Sequence, residues 1–295
     1  MDKFVYKDRI SLKKMHSMYD EQMASLGIRY REEYVSTSYG ETHIIIAGDE
    51  SKPHICTVHG GNGITPINIK LFKDLLDHDC IIAPDVIGMP GKSAPYRNLD
   101  TNRDDFGMWL CEVLDTLGID KIPFVVSSYS SAMLLSLAKT AQQRIEKAAL
   151  FVPSGFAHGP LLRIIRTMSL PMMKYYFAPS ERTLSGIMDI MSSQDDEQMT
   201  KFFDLMMSAY KMEMRPPKEY KKKELKDFHA PVMIFASDED IFFPANRVFP
   251  RAKKLLAERP VLCRIKGNHL PSEKTMASVC RWIYAFFENK ITTTM

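Results

Sequence analysis

Ser128, Asp240 and His269 are the three residue types that together can open an acyl bond. A serine hydroxyl alone is a poor nucleophile. It needs an imidazole to take its proton, and the imidazole needs a carboxylate to fix its tautomer and balance its charge. Position sets these three apart from the chain's other serines, acids and histidines, because each follows an apolar run of strand type. Ser128 ends the run Ile122 to Val126 and precedes Ala132 to Ala138, which reads as a helix. A sharp strand-to-helix turn of this kind lifts a serine above the end of a sheet and leaves the next backbone N–H at a helix N-terminus. Asp240 closes Ser237-Asp238-Glu239-Asp240, after the strand Pro231 to Ala236. His269 stands in Lys266-Gly267-Asn268-His269, after Val261 to Ile265. A fourth loop, His59-Gly60-Gly61-Asn62-Gly63, follows a third apolar strand, and its glycines let backbone N–H groups approach a ligand.

Two positions have competitors. Shifting the frame to Ser128-Tyr129-Ser130-Ser131-Ala132 places small residues on both sides of Ser130, whereas Ser128 has the β-branched Val126 two residues before it. Asp238 is an alternative to Asp240. The remaining histidines read as structural: His59 bonding the backbone of its own turn, His43 and His54 as strand or surface residues, and His158 as a solvated loop residue or a substrate contact. No His, Cys and Asp cluster has metal-ligand spacing.

The positioning elements can be read in order. Ser11 to Ser25 has apolar residues at helical spacing. Glu32 to Ser38 and Thr42 to Ala47, joined by Tyr39-Gly40-Glu41, form an antiparallel edge hairpin. His54–His59, Cys80–Pro84, Ile122–Val126 and Ala148–Pro153 are buried-type strands separated by helical segments at Ile67–Leu76, Asp104–Leu117 and from Ala132. That alternation implies an α/β fold with a mostly parallel sheet and helices on both faces. From Phe156 to Phe228 no strand is evident. The stretch is rich in methionine and aromatics, with helices broken near Pro171, Pro179 and Pro216-Pro217. It reads as a helical lid over 155–229, interrupting a core of 1–154 and 230–295. An ordinary helical layer filled with methionine is the alternative. The strand Pro231–Ala236, the helix Ala245–Ala257, the strand Val261–Ile265 and the helix Thr275–Phe287 resume the pattern.

Composition narrows the function. The 295 residues are 45% hydrophobic and 25% charged, and the net charge of +3 is too small to imply a nucleic-acid partner. The five cysteines are scattered, and Met1-Asp2-Lys3-Phe4 lacks the apolar core of a signal peptide. A reduced, cytoplasmic setting is therefore expected. With no apolar run of about 18 residues, no membrane partner is expected either.

The chain resembles the α/β-hydrolase superfamily and, within it, the bacterial carboxylesterase-like hydrolases. The ungapped run from Leu117-Gly118-Ile119-Asp120-Lys121 into the elbow carries the resemblance. So do Asp85-Val86-Ile87-Gly88 with Gly91-Lys92-Ser93, Asp240 followed by Phe243-Pro244, and Asn268-His269 with Asn268 where glycine is usual. The likeness extends from about Tyr30 to Phe287. It implies Ser128 as nucleophile, His269 as base, Asp240 as orienting acid and the N–H groups of Gly61 and Tyr129 as oxyanion hole. Asn62, Met172 and Phe243 are expected to touch substrate. The implied activity is cleavage of a small, partly apolar ester by a monomer or homodimer, with no cofactor. Such a base should lose activity on acidification as imidazole protonates; a rate flat down to about pH 4 would argue against it. A non-catalytic ligand-binding homologue, or a triad acting on an amide, lactone or C–C bond, stays open, since fold does not fix the reaction.

Overall fold

In the computed structural model, which describes residues 4–100 and 103–291, one eight-stranded sheet forms the centre. The elements run α1 (Arg9–Ser25), β1 (Tyr30–Thr37), β2 (Gly40–Ala47), β3 (His54–Val58), α2 (Thr65–Leu71), β4 (Cys80–Pro84), α3 (Asp105–Thr116), β5 (Ile122–Ser127), α4 (Tyr129–Ala141) and β6 (Ile145–Phe151). After β6 come α5 (Leu161–Ile164), a π turn (Ile165–Ser169), α6 (Leu170–Phe177), α7 (Glu181–Met191) and α8 (Glu197–Ala209). β7 (Val232–Ala236), α9 (Ala245–Leu255), β8 (Val261–Arg264) and α10 (Glu273–Phe287) complete the chain. The strand order is β1-β2-β4-β3-β5-β6-β7-β8. β1 and β2 are antiparallel to each other, β2 is antiparallel to β4, and every other pairing is parallel.

The sheet is apolar on both faces because both are covered. Phe124 and Val126 point to one core, with Trp109 and Leu110 of α3, Met133 and Leu134 of α4, and Val248 of α9. Val125, between them, points to the other core, with Met15 and Tyr19 of α1, Ile69 of α2 and Ile283 of α10. The two-residue alternation of a strand thus sorts neighbours into opposite layers. α5 to α8 join the second core: Met168, Met188, Phe202, Phe203, Met206 and Met207 are buried there. Their methionines act as packing between helices, a use that suits a flexible, polarizable side chain.

Two expectations change. The helix from Leu161 does not break at Pro171 but runs on to Phe177. The π turn immediately before Pro171 widens the backbone where proline's ring would meet the carbonyl four residues back, and it removes the demand for the missing N–H. His43 is not an ordinary strand residue but fully buried. Its Nδ1 lies 2.8 Å from Asp85 and its Nε2 lies 3.1 Å from Glu32. Asp85 also accepts from Thr65 Oγ1 (2.5 Å) and from the Lys92 N–H (2.9 Å). Burial alone would raise the Asp85 pKa, but the hydrogen bond and charge of His43 hold it below the usual carboxylate value. This buried carboxylate ties the loop after β4 to β2 and α2, beside the glycine turn after β3.

Candidate active site

β5 runs without a loop into α4, and the turn between them falls on Ser128 at φ 56°, ψ −122°. An L-residue avoids this conformation, and holding one there stores about 1–3 kcal/mol. Main-chain bonds enforce it: the Ser128 N–H donates to Phe151 O (2.9 Å), and the Ser154 and Ser131 N–H groups donate to Ser128 O (3.1 Å each). The Ser154 hydroxyl adds a third bond to the same carbonyl at 2.8 Å. The Ser128 side chain is thereby raised out of the sheet edge and left partly exposed.

His269 Nε2 lies 2.9 Å from Ser128 Oγ, and His269 Nδ1 lies 2.9 Å from Asp240 Oδ2. Asp240 is fully buried, and its other oxygen accepts the Phe242 N–H at 2.8 Å. With its proton on Nδ1, the imidazole donates to Asp240 and accepts from Ser128, the geometry in which a base draws a hydroxyl proton. Asp238 is elsewhere: it is exposed, paired with Arg264, and accepts the Asn246 N–H at 3.0 Å. Ser130 is fully buried and turned inward. It accepts the Ser127 N–H (3.0 Å) and donates to Val58 O (2.7 Å), so its hydroxyl locks β3 to β5.

The glycine turn after β3 lies against the elbow. A Cβ on Gly60 would sit 3.4 Å from Ser128 Cβ, and one on Gly61 only 3.0 Å from the Tyr129 ring. Gly61 is the closer approach, where a side chain would press on the Tyr129 ring. His59 braces the turn: its Nδ1 meets Gly60 O at 2.9 Å and its Nε2 accepts the Val86 N–H at 3.0 Å. Burial lowers the His59 pKa, in keeping with a neutral ring in this tautomer. Asn62 is bonded to the segment after α8. Its amide donates to Glu213 O (3.0 Å) and accepts the Glu213 N–H (2.7 Å), which pins that segment to the glycine turn.

Phe243 is buried with its ring 5.9 Å from His269, and Phe242 is nearer still at 5.1 Å, edge-on. Phe242 escaped the sequence reading, although it adjoins Phe243. Met172 lies on α6, partly buried at the margin of the second core. His158 meets Pro217 O at 3.1 Å and packs 5.8 Å from Phe243. Asn268, where glycine is usual, anchors its loop: its amide donates to Asp189 O (2.9 Å) and Ser192 O (3.0 Å). The Asn268 N–H donates to Ser193 Oγ (2.6 Å), and the Leu270 N–H to Met191 O (2.8 Å). The histidine loop is thus stitched to the end of α7. Ser154 and Ser193, small hydroxyl residues in loops, carried no periodic signal. Among the described residues, no group of three or more His, Cys, Asp and Glu side chains could hold a metal ion, and no helix is long and apolar enough to cross a membrane.

The model of the alpha/beta hydrolase fold family matches residues 53–228. An uncharacterized carboxylesterase, nap, of Bacillus subtilis is 28% identical over 139 residues, 47% of this chain and 46% of that one. The carboxylesterase YbfK of the same organism is 28% identical over 144 residues, 48% and 47% of the two chains. The matched stretch spans about half the length of these curated relatives. The crystal structure of naproxen esterase from Bacillus subtilis superimposes with a TM-score of 0.79 and 20% identity, covering 93% of this chain and 97% of that one, which is a likeness of fold. A family match across the glycine turn, the elbow and the strands between them, joined to the sheet order and the Ser128 turn, places this chain in the α/β-hydrolase family.

Proposed function

We propose that the protein is a serine hydrolase of carboxylic esters, with Ser128 as nucleophile, His269 as base and Asp240 as orienting acid. The observation that carries this reading is the unbroken contact from Ser128 Oγ through His269 to buried Asp240, with 2.9 Å at each step. Ser128 Oγ attacks the ester carbonyl carbon as its proton passes to His269 Nε2. The displaced π electrons become an oxyanion, held by the Gly61 and Tyr129 N–H groups. Collapse breaks the C–O bond, and the leaving alkoxide takes the proton from His269. Water then gives a proton to His269 and attacks the acyl-Ser128. The acid leaves as the proton returns to Ser128 Oγ. Every proton and electron pair is carried by these residues, the ester and water. Asp240 stabilises the imidazolium at each half-reaction.

The ester is uncharged and partly apolar in this reading, because the Phe242 and Phe243 rings lie 5.1 and 5.9 Å from His269. The helical segment 155–229 acts as a lid between the two parts of the core, 1–154 and 230–295. The bonds from Asn268 and Leu270 to the end of α7 support this, since movement of that helix would carry the histidine loop with it. The test is intact mass after treatment with a fluorophosphonate. One adduct on the wild type, lost in Ser128→Ala and kept in Ser130→Ala, is expected. Folded wild-type protein that takes no adduct refutes the reading. Turnover of lactones or amides in place of esters, in a substrate panel, would keep the triad and overturn the ester assignment.

A further inference from the structure

More than half of the large apolar side chains exposed on the described surface lie in one helical run, Leu161 to Phe177. Leu162 is 82% exposed and Phe177 78%. Leu161, Ile165, Leu170 and Met173 are exposed beside them, while Met168 and Tyr175 are buried on the opposite side. Steps of four residues share a helix face, so the outward residues form a stripe and the inward ones join the second core. An isolated exposed leucine needs no explanation, but a contiguous apolar face does.

Its charge is one-sided. From α5 through α7 the sequence carries Arg163, Arg166, Lys174 and Arg182 against two acids, Glu181 and Asp189. Among the described residues, none of these four cations has a salt-bridge partner. Three of them, Arg166, Lys174 and Arg182, line one groove of 430 Å³ between α6 and α7, together with Leu170, Thr183 and Gly186. The Gly186 Cα faces open space. A cationic groove beside an apolar stripe matches an anionic headgroup lying above acyl chains. Pairing of this face with a second copy across a twofold axis would bring the same unpaired cations together, which disfavours self-association.

We propose that the Leu161–Phe177 face is a docking surface for an anionic phospholipid bilayer. The apolar stripe enters the headgroup boundary, and Arg166, Lys174 and Arg182 receive phosphate groups. The expectation of no membrane partner rested on the lack of a spanning segment, and a helix that lies in the interface needs none. The inference is independent of the triad, because docking is read without turnover.

The test sediments the full chain with sucrose-loaded vesicles of phosphatidylcholine, alone or with roughly a third phosphatidylglycerol. The anionic lipid should raise the bound fraction at least about tenfold, and salt near about 0.5 M should reverse this. Leu162→Asp with Phe177→Asp, and separately Arg166→Glu with Lys174→Glu, should each lower partitioning by at least about tenfold. Thermal unfolding of both variants should match the wild type, since all four side chains are exposed. Four results would overturn the proposal. One is sedimentation that does not respond to phosphatidylglycerol. Another is binding that survives both variants. The third is an apolar variant that turns a dimer into a monomer on gel filtration, which would mark the face as a self-interface. Binding to polyglutamate as tight as to the vesicles would point to an acidic protein and overturn it as well.

Discussion

Ser128 and Ser130 should separate in stability as well as in chemistry. The Ser130 hydroxyl is fully buried, accepting the Ser127 N–H at 3.0 Å and donating to Val58 O at 2.7 Å. Ser130→Ala leaves a buried N–H without its acceptor, a loss of about 1–3 kcal/mol, and weakens one carbonyl bond by up to about 1 kcal/mol. The sum is a destabilisation of about 1–4 kcal/mol. Ser128 differs because its φ of 56° is the strained feature. Ser128→Gly releases about 1–3 kcal/mol of strain. Against this stand about 0.5–1 kcal/mol of extra glycine entropy in the unfolded chain and about 1 kcal/mol for the lost bond to His269. The net lies between a loss of about 1 kcal/mol and a gain of about 1.5 kcal/mol. Urea unfolding of the two variants gives the stabilities, and intact mass after fluorophosphonate gives the chemistry. Ser130→Ala should be the less stable protein that still takes the label; Ser128→Gly should be the stable protein that does not. The reasoning fails if Ser128→Gly loses more than about 2 kcal/mol, for then the backbone there is not strained. It fails equally if Ser130→Ala is neutral, for then the inward hydroxyl is not the clasp between β3 and β5.

Asp240→Asn should lower kcat on an ester by about 10³–10⁴-fold, because an amide favours the wrong imidazole tautomer; a loss below about tenfold would remove Asp240 from the mechanism. Asn268→Gly deletes the amide bonds to Asp189 O and Ser192 O, worth about 1–2 kcal/mol together. It should lower kcat more than it raises KM, and an unchanged kcat would show that His269 is seated without that anchor. Asp79 has a buried oxygen without a hydrogen-bond partner among the described residues. Burial pushes its pKa up to about 6. Because the folded protein then binds a proton more readily than the unfolded chain, stability is fully present below about pH 4 and is lost as pH rises through about 6. The upper bound is about 3 kcal/mol, and solvent near the carboxyl reduces it to about 1–2 kcal/mol. Asp79→Asn should therefore unfold at higher urea than wild type at pH 7 and lose that advantage near pH 4; equal curves at both pH values would contradict the sign.

Most of the sheet was legible because its strands are short apolar runs bounded by turn residues, a signal that survives without knowledge of partners. Ser128, Asp240 and His269 were legible for the same reason: each sits one step past such a run, where loops of an open sheet converge. What escaped depends on contacts distant in sequence. Asn268 and Ser193 meet across 75 residues and Asn62 and Glu213 across 151, so no local pattern announces them. His43 looked ordinary because a strand residue's meaning lies in its neighbours, here Asp85 and Glu32. Pro171 misled for a different reason. A proline predicts a break only if the preceding backbone is a regular α-helix, and here it is a π turn.

The same distinction between local rule and local geometry explains the elbow's missing glycines. A Gly-x-Ser-x-Gly pattern would put glycine where Val126 and Ser130 stand, two residues to either side of Ser128. The structure separates two reasons for glycine, backbone freedom and room. Only Ser128 has positive φ in the elbow; Val126 is extended within β5, where a β-branched residue is at ease. Its side chain goes away from the serine into the core shared with Ala132 and Met133, and pairs across the sheet with Val58 and Leu150. At Ser130 the hydroxymethyl group that replaces hydrogen finds two acceptors and a donor within 3.0 Å, so it adds bonds where a glycine would leave main-chain groups to find other partners. Within the elbow, backbone strain is therefore confined to the serine that meets His269, and the flanking positions hold it there by packing on one side and hydrogen bonding on the other.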